Sequence, residues 1–393
     1  MRYRAIGLAM LIAVGVAAPA ARADGPGVGT PWVVSVGDSY ISGEAGRWAG
    51  NTNNGEQYID ALGPTAYYDN AAGTGEAIPA CHRSKAAEVH IGGGVTSVNL
   101  ACSGARTYSR VSDGKFKPGI DFYNVNGQKG QALALQELAA VDKNIKAIVV
   151  LIGANDYGFA DIVQTCVTDW LTSPSWWKNY CQDDSNIAAM FTDSNVTTVT
   201  NNVRAAYARV REAMSNAGYD PSSYRLIAQT YSAPIPKSDG FRYGQTGFTR
   251  QTVGGCGVWN KDADWARDTV VKKLNSTTRN AVGPLGNIPV LNMDEALAGR
   301  KLCENTVGLL EEKGLATWQS PGAVNKTEWV QQIRTLTTLF PPYQLQEDAH
   351  PNYWGQLALR NCFRKAYYGS GGGTCSPGTG LNGKGEPNMM LGA

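Results

Sequence analysis

Apolar positions along this chain fall into five short β-branched or aliphatic runs, at 33–36, 97–101, 145–152, 225–230 and 288–292. Runs of that length, bounded by Gly, Asn and Asp, predict buried strands rather than helices. Between and after them the pattern changes to spacings of three and four. Val199, Val203, Tyr207, Val210 and Met214 mark one helical face within 196–217, and further helices are expected over 131–141, 262–281, 293–312 and 353–368. Strands alternating with helices imply parallel crossovers, hence an α/β fold with a mostly parallel central sheet of five strands between helical layers. No Pro/Ser-rich linker divides the chain and no internal repeat is evident, so a single domain is expected over 24–368.

Three connections, 40–80, 157–195 and 231–260, exceed ordinary loop lengths, which marks them as functional or as ordered insertions. The last 25 residues, 369–393, are Gly-rich and are expected to be flexible beyond Cys375. At the other end, a basic tetrapeptide (1–4), an apolar run (5–20) and Ala21-Arg22-Ala23 have the order of an export signal cleaved before Asp24. The apolar run is too short and too Ala/Gly-rich to span a membrane comfortably. A secreted chain without stable membrane insertion, acting as a monomer, is therefore expected. Loss of Arg2, Arg4 and Arg22 turns the formal charge of +2 into −1. This near-neutral balance argues against nucleic acid as a partner.

All eight cysteines lie beyond the signal. An even number in an exported chain implies disulfides, and chain order suggests nearest-neighbour pairs: Cys81–Cys102, Cys166–Cys181, Cys256–Cys303 and Cys362–Cys375. In the chain-entropy account, closing the 166–181 loop is worth about 3 kcal/mol. With three histidines and no Cys-x-x-Cys, zinc is the weaker alternative. No metal or organic cofactor is expected.

The first run ends abruptly in Gly37-Asp38-Ser39, which leaves a hydroxyl at the carboxyl end of a strand, where open α/β sheets bind ligands. The tripeptide alone is weak, because chance supplies it roughly once in ten chains of this size. Ile41 also breaks the Gly-x-Ser-x-Gly elbow of α/β-hydrolases. A nucleophilic serine needs a base near neutral pH, for which imidazole is the usual group. His82 adjoins Cys81 and His90 lies in an Ala/Gly-rich stretch, so both read as structural. His350 stands before the last amphipathic helix with Glu347 and Asp348 close behind it, either of which can orient an imidazolium. An acyl-transfer site also needs donors for an oxyanion. Gly104, after the second run, can offer an unobstructed N–H, and Asn155, after the third, a carboxamide.

Ser39, Gly104, Asn155 and His350, each at a strand end or just beyond the last strand, resemble the four blocks of the SGNH (GDSL-type) hydrolase family. The resemblance runs from about residue 32 to 368. It is greatest to secreted lipases and esterases of filamentous actinobacteria, through Cys-x-Arg-Ser (81–84), Ala-Cys-Ser-Gly-Ala-Arg-Thr (101–107) and His-Pro-Asn (350–352). It implies a flavodoxin-like α/β/α sandwich and sequence-adjacent disulfides, which supports the first three pairs above. It also implies ester hydrolysis through an acyl-enzyme on Ser39 with His350 as base. The oxyanion would be held by the Ser39 and Gly104 N–H groups and the Asn155 amide. Tyr40 replaces the family's usual Leu. Its usual acid, an Asp three residues before the His, is replaced by Glu347, with Asp348 the alternative and a backbone carbonyl a third. Trp170, Trp176, Trp177 and Tyr180 crowd the 166–181 insertion, where they form a local core, grip an acyl chain or stack sugars. Two further readings follow: an esterase of acetylated polysaccharide, and an inactive hydrolase fold retained for binding.

Overall fold

The computed structural model describes residues 25–141, 143–334 and 345–393; the expected signal, 1–23, lies outside them. The predicted strands all form, as β1 (Pro31–Gly37), β2 (Thr96–Asn99), β3 (Asn144–Leu151), β4 (Arg225–Gln229) and β5 (Val290–Asn292). They pair in parallel in the order 2-1-3-4-5. Val33, Val34 and Val36 of β1, and the run from Ala147 to Leu151 of β3, are wholly buried, as befits strands covered on both faces.

The sheet has seven strands rather than five. Residues of the expected flexible tail form β6 (Gly373–Leu381) and β7 (Pro387–Gly392). Strand β6 pairs in parallel with β5, and β7 folds back antiparallel on β6. The tail is thus corrected to an ordered hairpin. Its glycines masked an alternation in which Met389 is buried while Met390 is exposed, and the buried Cys375 ties the hairpin to Cys362.

Five longer helices pack on the sheet: α2 (Gln131–Ala139), α3 (Phe159–Thr172), α4 (Asp193–Asn216), α5 (Lys272–Val282) and α6 (Tyr353–Tyr368); a single turn, α1 (Ser39–Ser42), precedes them. Helices α2, α4 and α5 lie side by side. The predicted stripe of α4 is buried, and Tyr207 sends its hydroxyl to the Val150 carbonyl of β3. Helix α6 packs against the 85–91 segment instead, through Arg360 to Ala87 O and Arg364 to Ile91 O. By the right-handed crossover rule, β2→β3→β4→β5 puts its helices on one face, and the reversed β1→β2 connection covers the other.

One predicted helix is absent. Residues 293–312 run as successive turns, because Gly299 and Cys303 sit at positive φ and the Cys256–Cys303 disulfide pins the segment. All four nearest-neighbour disulfides are formed. The long 157–195 insertion is ordered around α3, as expected. Among the described residues no helix is long and apolar enough to cross a membrane.

Candidate active site

Chain reversal after β3 and after β1 creates the site, because the sheet changes winding direction between these two neighbours and a crevice opens at their carboxyl ends. Gly37 closes β1 at φ +146°, and a Cβ there would lie 2.0 Å from the Leu151 carbonyl oxygen, so no other residue fits. The Gln131 carboxamide at the start of α2 grips the Gly37 peptide on both sides. Gly37 N–H donates to Gln131 Oε1 (2.7 Å), and Gln131 Nε2 donates to Gly37 O (2.8 Å).

Asp38 then caps α1, its Oδ1 accepting from Tyr40 N–H (3.2 Å), while its Oδ2 accepts the Tyr231 hydroxyl. Burial pushes its carboxyl up to about 7, against the pull of the Tyr231 bond. The same Tyr231 oxygen accepts Ala154 N–H (3.1 Å), so one phenol ties the end of β1 to the end of β3. Ser39 is the first residue of α1, where a helix leaves N–H groups without intrahelical acceptors.

Ser39 Oγ lies 2.6 Å from His350 Nε2. The other ring nitrogen, Nδ1, lies 2.8 Å from the Asp348 backbone carbonyl. A carbonyl only accepts, so Nδ1 carries the proton and Nε2 is free to receive one from the serine. Burial holds the His350 pKa below its ordinary value, outweighing the upward pull of the Glu44 charge. The loop is held from several sides. Tyr40 OH donates to Ala349 O (3.2 Å), Gln331 N–H to His350 O (2.9 Å), and Asn352 caps α6 through Trp354 N–H (3.1 Å). Ala349 adopts φ +59°, the turn that aims the next ring at Ser39.

Neither predicted acid reaches this ring with its carboxylate. Glu347 lies on a single 3-10 turn, Leu345–Glu347, that directs it away from His350. Its Oε1 accepts from Tyr67 OH (2.6 Å) and its Oε2 from Trp48 Nε1 (2.9 Å). The Asp348 carboxyl turns back to accept Arg334 N–H (3.0 Å), and burial raises its pKa to about 8. The expectation of a Glu347 or Asp348 carboxylate is therefore corrected to the Asp348 main-chain oxygen.

Gly104 and Asn155 do come together. The Asn155 amide donates to Ala105 O (2.9 Å), one residue past Gly104, leaving its second N–H available. Gly104 is at φ +76°, and its N–H, like that of Ser39, has no acceptor among the described residues. Thr107, donating through N–H and Oγ1 to Asp156, locks the two loops together (3.1 and 2.6 Å).

His82 and His90 stand outside this arrangement. His90 bonds Ser97 Oγ (2.8 Å), and burial lowers its pKa to about 4. His82 lies under the Tyr67 ring with Nδ1 2.7 Å from Glu44 Oε1. Burial pulls its pKa down, but the Glu44 charge and hydrogen bond reverse this and the net shift is upward. Among the described residues no cluster of three or more His, Cys, Asp or Glu could hold a metal ion.

Next to the site, an apolar cleft follows one face of α3 through Phe159, Ile162, Val163, Cys166 and Val167. Pro234, Ile235, Val258 and Val270 line its other walls, and Ala349, the residue before His350, is also part of the lining. Sequence reasoning missed this cleft, although the i, i+3, i+4, i+7, i+8 spacing of its α3 wall was readable.

No family model matches the chain, and no curated protein matches it. Solved structures similar to it include an extracellular lipase from Streptomyces rimosus, at 18% identity and a TM-score of 0.45, covering 83% of this chain and 94% of that one. A phospholipase A1 from Streptomyces albidoflavus gives 19%, 0.43, 83% and 94% for the same quantities. A carbohydrate esterase family 2 enzyme with a carbohydrate-binding domain, from Corynascus thermopiles, gives 13%, 0.39, 87% and 66%.

Proposed function

We propose that this chain is an exported SGNH-type serine hydrolase that cleaves carboxylic esters with an apolar acyl group. The observation that carries the reading is the 2.6 Å contact between Ser39 Oγ and an imidazole whose far nitrogen is fixed on a carbonyl. Ser39 Oγ attacks the ester carbonyl carbon as His350 Nε2 takes its proton. The Asp348 carbonyl holds the Nδ1–H of the imidazolium. The oxyanion is met by the Ser39 and Gly104 N–H groups and the free N–H of Asn155. Collapse expels the alcohol, which receives the proton from His350. Water, deprotonated by the same nitrogen, then releases the acid and restores Ser39. No step calls for a metal or cofactor.

The acyl chain lies in the α3 cleft, whose lining offers few groups to hydrogen-bond a sugar. Its α3 face, from Phe159 to Val167, spans about 12 Å. Export is supported by four formed disulfides and by the N-terminal pattern of charged, apolar and small residues. The test is turnover of short-chain esters by pure protein beside Ser39→Ala. Wild-type rates in that variant would end the mechanism. Rapid labelling of Ser39 by a fluorophosphonate removes the reading of an inactive binding fold.

A second substrate reading, acetylated polysaccharide, is favoured by two exposed indoles, Trp176 and Trp177. Acetate release from acetylated xylan, compared with cleavage of longer acyl esters, separates the two.

A further inference from the structure

The aromatic residues of the 166–181 insertion divide into two sets. Trp170 is buried, edge-on to Phe248 and tilted against Trp259, and forms the local core. Trp176 and Trp177 do the opposite. They are 81% and 73% exposed, on a tip that follows directly from α3 and is fastened by Cys166–Cys181. The tip is a defined turn, with Trp177 N–H on Pro174 O (2.9 Å) and Lys178 Nζ on Ser175 O (2.7 Å). Leu171, at the end of α3, is 38% exposed, and Phe248, against Trp170, is 66% exposed.

Two adjacent exposed indoles on a braced turn lose apolar burial with no gain in local packing, so their use lies outside the chain. Their placement says where. The α3 face that lines the cleft continues one turn beyond Val167 into Trp170 and Leu171 and then into this tip. On the facing wall, Val258 lines the cleft while its neighbour Trp259 bonds Ser173 Oγ and lies 5.4 Å from Lys178 Nζ. The α3 wall of the cleft thus leads by helical spacing to Trp170 and Leu171, and the tip that carries Trp176 and Trp177 follows in sequence.

We propose that Trp176 and Trp177, with Leu171 and Phe248, form a surface that docks on a lipid–water interface and presents the α3 cleft to acyl chains there. Indoles suit that boundary, with an apolar body and one N–H for the headgroup layer. Lys178, next in sequence to Trp177, adds a cation for the headgroup level. A polysaccharide fits less well. The two rings meet at 51° with centroids 6.3 Å apart, so they offer no common flat face for a sugar chain. The proposal rests on the ester-hydrolase reading for its purpose, but its test does not depend on turnover.

The experiment measures partition of the full chain onto phosphatidylcholine vesicles by flotation, in the Ser39→Ala background so that no lipid is consumed. The Ser39→Ala protein should float with vesicles, and adding W176S/W177S should weaken partition by about tenfold or more, the loss expected from withdrawing two apolar side chains. W176F/W177F should recover part of it. With Ser39 intact, W176S/W177S should turn over a soluble short-chain ester within about twofold of the parent, showing that the fold and site are undisturbed. Equal partition with and without the indoles, or none by the parent, overturns the proposal. So does retention on acetylated xylan that depends on the indoles while vesicle partition does not. If partition behaves as expected but no ester is cleaved, the hydrolase reading fails and the surface stands.

Discussion

His82 and His350 are both buried in loops, each with an acidic residue near it in sequence or space, and their surroundings shift their pKa values in opposite directions. His82 has the Glu44 carboxylate on Nδ1 at 2.7 Å and a second carboxylate oxygen, of Glu76, 3.6 Å from Nε2. That arrangement favours the charged ring: burial pulls its pKa down, but the Glu44 charge and hydrogen bond carry the net shift upward. His350 has a neutral carbonyl on one nitrogen and a hydroxyl on the other. Burial without a contacting anion keeps it unprotonated and ready to accept. A carboxylate directly on His350 would hold the imidazolium better once formed, but would also raise the pH needed to keep the resting ring neutral. The molecule sets one buried imidazole against carboxylates and leaves the one beside Ser39 to a carbonyl dipole.

Five measurements can break or sharpen this contrast, beginning with the largest effect. His350→Gln should lower kcat by about 10⁴-fold or more while the melting temperature changes little, because only catalysis uses that nitrogen. His82→Gln should do the reverse. It strands the buried Glu44 carboxylate and should cost about 3 kcal/mol in urea unfolding, with kcat on the folded fraction largely kept. A catalytic loss matching that of His350→Gln would erase the distinction between the rings.

Glu347→Gln is a smaller test. Its side chain serves Trp48 and Tyr67, so kcat/KM should fall by less than about tenfold, whereas loss of a true triad carboxylate costs about 10⁴-fold. The smallest effect is in pH. Because the His350 pKa is held below 6.5, the acid limb of kcat/KM should have its midpoint below 6.5. The ion pair has its own window. The folded His82 pKa lies above 6.5, so its contribution is full below pH 6.5 and is lost as pH rises through the folded value. Glu44 is held at about 2, since the His82 charge and hydrogen bond outweigh the upward push of burial; its contribution is full above pH 4.5 and is lost as pH falls toward 2. The pair is therefore strongest between pH 4.5 and 6.5. Stability–pH curves of wild type and His82→Gln should diverge most there.

Much of the scaffold was legible because its signals are local. Five apolar runs became five parallel strands, the α4 stripe was buried as spaced, and chain order was enough for the four cystines. The contact of Ser39 with His350 was within reach of the sequence because three histidines left few candidate partners. The failures are tertiary. Spacing three before the His pointed to Glu347, but a 3-10 turn sends that side chain to Trp48, which is 299 residues distant. Tyr40 could be seen to replace a Leu, yet its grip on Ala349 O crosses 309 residues. Helical spacing over 293–312 was real but lost to a cystine and a positive φ. Glycine content concealed a hairpin whose inward and outward methionines alternate.

That hairpin changes how one molecule meets another. Without β6 and β7 the parallel sheet would end on β5, a three-residue strand whose open groups pair at Leu291 and Asn292 with β6. A bare edge of that kind templates strand addition from neighbouring copies. The rim that replaces it opens with Pro387 and slips register between Pro377 and Leu381. A proline without an N–H and an irregular ladder make poor docking ground for a foreign strand. The same cystine, 362 to 375, fastens this rim to α6, and His350 lies two residues before the cap of that helix. One covalent link in this way holds both the rim of the sheet and the helix that follows His350.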